Sequence, residues 1–376
     1  PTQQQNTTTK TNRAIGNRPK RLCRNRPGRY QTTRQEGPSR TTPATTQHTH
    51  LHDETILALG GGGTNTRAVL VTRQGHLAGS ASGPGCNAFD RPEWAHNLRT
   101  LLTSLPHPRL QAAALGIAGY DVECASATAQ DDVARAALGP SVALCLENDV
   151  QSAHRGAFAG EAGLFVLAGT GSVAMARNSH GQQARVGGWG WLLGDEGSGY
   201  WIGREALAQA ARFLDNPAVA HAAFSTALLT RLGLPVTGPQ APFALHEWLR
   251  TRPHPRSAIG NLAPLIHTMA EEGQPQATAL LQAAGQELAQ LARTAAHGCT
   301  LPCGPDRIWG HGGSVMHGQF VRNTLANALG AQPRPPVLPP LGGAALLAAT
   351  LAGWQVDALW IATLANALHP EKGDTP

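Results

Sequence analysis

Two glycine–threonine turns, "GGGGTNT" at residues 60–66 and "AGTGS" at 168–172, each sit between short apolar stretches of strand type. Glycine lacks a Cβ, so such a turn can take positive φ and bring its backbone close to a bulky anion. Successive N–H groups then form a concave nest for phosphate oxygens, and a Thr or Ser hydroxyl adds a donor. The two turns share a layout, since Thr64 precedes Gly75 by eleven residues and Thr170 precedes Gly181 by eleven. A duplicated strand–turn–strand unit with facing halves would grip a polyphosphate from both sides. The plain alternative is two ordinary Gly-containing hairpins. Neither turn is a P-loop, because no G-x-x-x-x-G-K-[ST] occurs. The first leads into a strand, unlike the helix that a dinucleotide fingerprint opens.

Between the turns, "CLENDVQSAHRGA" reads as a strand running into a helix, which puts Asp149 at the edge of a sheet where open α/β folds bind ligands. A carboxylate there can take the proton of an attacking hydroxyl in phosphoryl transfer; equally it can cap the helix. The glycine-rich stretch "VGGWGWLLGDEGSGYWIG", residues 186–203, carries three tryptophans and an Asp-Glu pair. That mixture suits a sugar site, where an indole packs on the apolar face of a ring while carboxylates and backbone bind its hydroxyls. In "WGHGGSVMHG", 309–318, a glycine pair between strand and helix is a turn on which adenosine can lie. Cys299 and Cys303 lack the second pair or His partner that a metal site requires.

The elements needed to hold these residues follow from the pattern. "TILALG", "RAVLVT" and "LAGSAS" predict a strand and a hairpin, "PEWAHNLRTLLTSL" a helix, "LQAAALGIAG" a strand and "SATAQDDVARAAL" a helix. "SVALCLEND" and "GLFVLAG" are further strands, residues 199–297 are largely helical, and small-residue helices are expected near 342–352 and 356–368. Strands alternating with helices indicate α/β architecture. The net charge of +6 divides unevenly: residues 1–53 carry +8 and the rest sums to −2. That Thr-, Gln-, Asn- and Arg-rich stretch has too few apolar residues to offset its ordering entropy, so a disordered tail is expected. Nucleic-acid binding would rest on it alone and is not the expectation for the folded part. No segment has the apolar length of a membrane helix or the apolar core of a secretory signal, and the six scattered cysteines suit a reducing cytoplasm.

The order GGGTNT, AGYD, END, AGTGS, GGWGWLLGDEGSGYWIG, GHGGSV, LGGAALLA, over about residues 55–355, resembles the BadF/BadG/BcrA/BcrD-type ATPases. Within them it is most similar to the N-acetylglucosamine kinases of the sugar kinase–Hsp70–actin superfamily. The resemblance implies a duplicated actin-like (ribonuclease H-like) fold: domains at 54–160 and 161–354, a helical insertion at 199–297, and a C-terminal helix at about 355–370 returning to the first domain. It implies ATP as co-substrate with Mg²⁺, and transfer of the γ-phosphate to an amino sugar. By position Gly62, Gly63, Thr64 and Asn65 match the first phosphate loop, Thr170, Gly171 and Ser172 the second, and Gly312 and Gly313 the adenosine loop. Asn87, Asp121, Gly188, Trp189, Gly190 and Asp195 match sugar-binding positions, and Asp149 the catalytic base, which also binds the sugar. Family members are often homodimers. Most also carry an acid just before the GGGT turn to orient the metal, where this chain has Gly60. Two other readings stay open: a non-catalytic sugar and nucleotide sensor, and an ATPase activator of a dehydratase, for which the cysteines give no cluster arrangement.

Overall fold

The computed structural model describes residues 53–61, 65–89, 91–302 and 304–368. The basic tail, Gly62, Gly63 and Thr64 of the first turn, and Cys303 lie outside the described residues.

The first sheet has the order β3-β2-β1-β4-β5, from β1 (Thr55–Gly61), β2 (Asn65–Thr72), β3 (Leu77–Pro84), β4 (Leu110–Ile117) and β5 (Ala143–Asn148). Strict alternation gives β1 two buried faces. Leu57 and Leu59 pack with Leu70, Leu115 and Ile117 under α1 (Trp94–Thr103) and α2 (Ala125–Leu138). Ile56 and Ala58, one residue out of phase, pack with Val69, Ala112 and Ala114 on the other side. Between β5 and the second sheet lies α3 (Asp149–Ala157).

The second sheet, order β8-β7-β6-β9, comprises β6 (Gly163–Ala168), β7 (Ser172–Arg177), β8 (Gln183–Gly187) and, far along the chain, β9 (Trp309–Gly312). Five helices intervene before the long α9: α4 (Gly199–Asp215), α5 (Ala222–Arg231), α6 (Ala241–Arg250), α7 (Pro255–Gly260) and α8 (Ala263–Glu271), then α9 (Pro275–Gly298). Leu164, Val166, Ala174 and Ala176 of the sheet pack into a core with α4, α5, α8 and α9. The opposite face, Phe165, Val173 and Met175, packs on Val150, Ala153 and Ala157 of α3. After β9 come α10 (Gln319–Leu329), α11 (Pro340–Leu351) and α12 (Ala358–Leu368).

The repeat read in the sequence is a repeat of topology. In each sheet a hairpin (β1–β2, β6–β7) is extended on one side by an antiparallel strand and on the other by a parallel one, β4 or β9. Gly75 and Gly181 take matching positive φ, 87° and 81°, in the second turn of each unit. One boundary differs from the expected 354. Leu341, Ala344, Ala345, Ala348 and Ala349 of α11 pack on the first sheet together with Trp360 and Leu364 of α12, so both helices, not the last alone, return to the first lobe. The reason is size. A Cβ on Gly343 would lie 1.9 Å from the Ser152 carbonyl oxygen, and one on Gly156 2.6 Å from that of Pro339. Only glycine lets α11 and α3 approach so closely. Among the described residues, no helix is long and apolar enough to cross a membrane.

Candidate active site

The junction of β5 and α3 is built by Asn148. Its side chain accepts from the Val150 N–H and its own N–H donates to Gln151 Oε1 at 3.0 Å, which is a capping box. The same side chain donates through Nδ2 to the Tyr120 carbonyl at 2.9 Å, binding the loop after β4 to the start of α3. Asp121 and Asp149 are thereby held on adjacent backbone segments. One turn along, Ser152 Oγ donates to Glu147 Oε1 at 2.6 Å and Arg155 pairs with the same carboxylate. Gly116 makes room for this, since a Cβ there would lie 2.3 Å from Ser152 Oγ.

Asp149 stands in the first turn of α3 on the wall of a cavity of about 300 Å³, with Gly60, Gly61, Arg67, Gly116 and Ser152. Burial pushes its carboxyl up to about 6, against the Val150 amide and the Arg185 charge, which pull it down. Such a group is ionised at neutral pH and more basic than an ordinary aspartate, as a general base should be. Another depression, about 480 Å³, is lined by α6 and Gln240 before it, and by none of these residues.

The second turn is fixed by its surroundings. The Gly199 amide at the start of α4 donates to the Gly169 carbonyl at 2.8 Å, and the Tyr200 amide to that of Thr170 at 3.3 Å. Asp195, with φ 62°, turns its carboxylate under the turn, where Oδ1 accepts from the Ser172 amide at 3.2 Å. Its Oδ2 accepts from Arg256 Nη2 of α7 at 2.9 Å. Ser172 Oγ donates to the Glu196 carbonyl at 2.7 Å. Thus Asp195 and Ser172, expected at the sugar and phosphate respectively, are buried, and the bonds described above tie them beneath the turn. Thr170 and Gly171 remain partly exposed on it. The pair Gly312–Gly313 reaches the same edge: a Cβ on Gly313 would lie 2.2 Å from the Ala168 carbonyl.

The other expected sugar residues come from both lobes. Asn87 lies against Gly119, whose Cβ would sit 2.6 Å from Asn87 Oδ1, in the loop that carries Asp121. Gly188 is anchored by its amide to the Ser172 carbonyl at 2.9 Å, and Gly190 has φ 80°. Trp189 is 74% exposed, so its indole face is open. Asn65, opening β2, is exposed. Two residues escaped sequence reading. Arg185 of β8 places Nη1 3.6 Å from Asp121 Oδ2 and Nη2 3.5 Å from the Gly188 carbonyl, joining the lobes. Arg256, early in a helix of the insertion and one of three arginines in 250–256, had no local signal that set it apart.

Among the described residues no three His, Cys, Asp or Glu side chains group to hold a metal ion. Gly60 offers no carboxylate, although a Cβ there would make only ordinary contacts of 3.7 Å with Leu341. The described side chains therefore do not form a metal centre of their own. Cys299 donates its thiol to the Ala176 carbonyl at 3.3 Å in the core, and Cys86, Cys124 and Cys145 are likewise free.

The chain is 25% identical to a Chromobacterium violaceum protein solved as a candidate N-acetylglucosamine kinase, with a TM-score of 0.62 over 80% of this chain and 99% of that one. A Porphyromonas gingivalis structure with the same description, 22% identical at a TM-score of 0.57, shares the fold over 77% of this chain and 97% of its own. An N-acetylmuramic acid/N-acetylglucosamine kinase of Clostridium acetobutylicum is 38% identical over 28% of this chain and 34% of its own length. An N-acetyl-D-glucosamine kinase of Dictyostelium discoideum is 28% identical over 44% of this chain and 57% of its own length. The aligned portion thus spans about a third and somewhat over half of those two curated relatives. A profile of the BadF/BadG/BcrA/BcrD ATPase family runs from residue 59 to 348, through both hairpins, the Asp149 junction and the tryptophan block, and it is to this family that the chain belongs.

Proposed function

We propose that this protein is an ATP-dependent kinase of an N-acetylated hexosamine, N-acetylglucosamine foremost, with Asp149 as general base. The observation that carries the reading is the carboxyl of Asp149, raised to about 6, on the wall of a cavity whose other wall is the glycine end of β1. In this reading the sugar hydroxyl attacks the γ-phosphorus and its proton passes to Asp149. The bond to the β–γ bridging oxygen breaks, and ADP leaves with that oxygen. Thr170 and Gly171 bind phosphate oxygens, with Asp195 and Arg256 holding their turn; Gly62, Gly63 and Thr64 do the same from the first lobe. Adenosine lies on Gly312 and Gly313. Trp189, Gly188 and Gly190 meet the ring, and Asn87 and Asp121 its hydroxyls. Phosphorylation at the 6-hydroxyl follows from the family likeness. Mg²⁺ arrives as the nucleotide's own ion, keeping most of its waters, and no step here is assigned to it.

ADP release with Mg-ATP and a panel of amino sugars tests this. Release that depends on an N-acetylated hexosamine, and falls at least a thousandfold in Asp149→Ala, is the expected result. Gly60 favours a second reading, a protein that binds sugar and nucleotide and turns over poorly. Calorimetric sugar binding without ADP release, together with a large gain of turnover in Gly60→Asp, would favour it.

A further inference from the structure

Arg67 is the one cation among the described residues that line the cavity of Asp149, and Asp149 is the one anion. That cavity runs from Gly60 and Gly61, which end β1 just before the first glycine–threonine turn, to Leu167 of β6, just before the second. Gly60 and Arg67 are direct partners in the antiparallel β1–β2 ladder. Such partners carry their side chains on one face, with Cβ atoms about 5 Å apart. A Cβ on Gly60 would point at Leu341 of α11, itself a wall of the cavity, so Arg67 leaves β2 on the same side. Among the described residues the exposed Arg67 side chain takes no ion-pair partner. The charge that acts on Asp149 comes from Arg185 instead, and position 60 offers no carboxylate.

Leu167, Pro339, Pro340, Leu341 and Leu368 make much of the remaining wall apolar, and low-dielectric walls focus the field of a charge they flank. Phosphoryl transfer needs the charge of the transferring group neutralised, yet no three described acidic, His or Cys side chains group to hold a cation for that purpose. A guanidinium is permanently charged, and its planar fork takes two phosphate oxygens in parallel hydrogen bonds. Building on the kinase reading above, we infer that Arg67 binds the terminal phosphate oxygens of ATP directly, in place of an ion held by protein carboxylates, so that the protein grips the nucleotide with or without its magnesium. Gly60 belongs to the same arrangement, because a carboxylate there would stand beside the guanidinium and compete with phosphate for it.

The probe is ATP, titrated calorimetrically into the full chain in magnesium and again in EDTA. Wild type is expected to bind in EDTA within about tenfold of its affinity in magnesium. In EDTA, Arg67→Gln loses at least tenfold, and Arg67→Lys, which keeps the charge without the fork, falls between the two. Gly60→Asp loses several-fold in EDTA as its carboxylate pairs with Arg67. Salt weakens ATP binding in EDTA more steeply in wild type than in Arg67→Gln. The affinity for N-acetylglucosamine without nucleotide is the control for folding: where it falls together with that for ATP, the Arg67→Lys and Gly60→Asp variants decide. An Arg67→Gln variant that binds ATP in EDTA within twofold of wild type overturns the inference. So does a wild type that binds ATP in magnesium and not in EDTA, an outcome that leaves the kinase reading intact. Failure to bind ATP under either condition overturns both.

Discussion

Replacing Asp149 by asparagine should abolish activity and make the protein more stable. In the unfolded chain its carboxyl titrates near the ordinary aspartate value of 3.8, and in the fold near 6. The folded group thus holds its proton more tightly, so ionising it works against the fold. The penalty is absent below about pH 3.8, grows as the pH rises, and is complete above about 6. The gap of roughly two pH units corresponds to about 3 kcal/mol at neutral pH, an upper figure since the residue is partly accessible at the cavity wall. Asparagine keeps the shape without the charge. Thermal unfolding at pH 7.5 should therefore show Asp149→Asn above wild type by up to about 6 °C, taking roughly 2 °C per kcal/mol for a chain of this size. The advantage should shrink to about half at pH 5, where the native carboxyl is already largely protonated. Contributions from other titrating groups cancel between the two proteins. An Asn variant no more stable than wild type at pH 7.5, or one whose advantage does not shrink on acidification, would refute the claim that burial strains this carboxylate.

Two further substitutions probe the scaffold. Gly343→Ala forces a methyl to within 1.9 Å of the Ser152 carbonyl, so a loss of about 2–3 kcal/mol in denaturant unfolding is expected, with kcat falling as α3 shifts. Arg256→Met leaves the buried Asp195 carboxylate without the partner 2.9 Å away, and a destabilisation of about 3 kcal/mol is expected. KM for ATP should rise more than KM for the sugar, and Asp195→Asn in the same chain should restore part of the stability.

The fold was legible where sequence and geometry share a period. The continuous apolar run "TILALG" marked β1 as a strand buried on both faces, and the eleven-residue echo between Thr64–Gly75 and Thr170–Gly181 became two hairpins of one topology. What escaped were long-range contacts. The small-residue helix at "LGGAALLA" carries no mark of which sheet it joins; that is decided by the approach of Gly343 to Ser152, nearly two hundred residues apart. The partners of Asp195 could not be read from its block, because a positive φ at a non-glycine residue, invisible in sequence, turns its carboxylate under the Ser172 amide. Arg185 was passed over for a similar reason. A single arginine in an alternating strand looks like a solvated charge until the loop carrying Asp121 is seen to lie beside it.

The position of the proposed base explains why so much glycine surrounds α3. One face of this helix meets α11 through Gly156 and Gly343, and its other face meets Phe165, Val173 and Met175 of the second sheet. It is thus the element packed against both lobes. The residues proposed to meet the sugar sit on the flanking loops: Asn87 and Asp121 on one side, Gly188 to Gly190 on the other. A carboxylate that has to stay ionised at a partly dry wall gains from a rigid mount, since its capping box and the Asn148–Tyr120 bond hold the local backbone in place. Moving Asp149 to a loop would relieve the strain on its charge and also lose the fixed distance that proton transfer demands. The destabilising carboxylate and the tight helix contact are therefore two parts of one requirement, and a variant that relaxes either should lose turnover before it loses affinity.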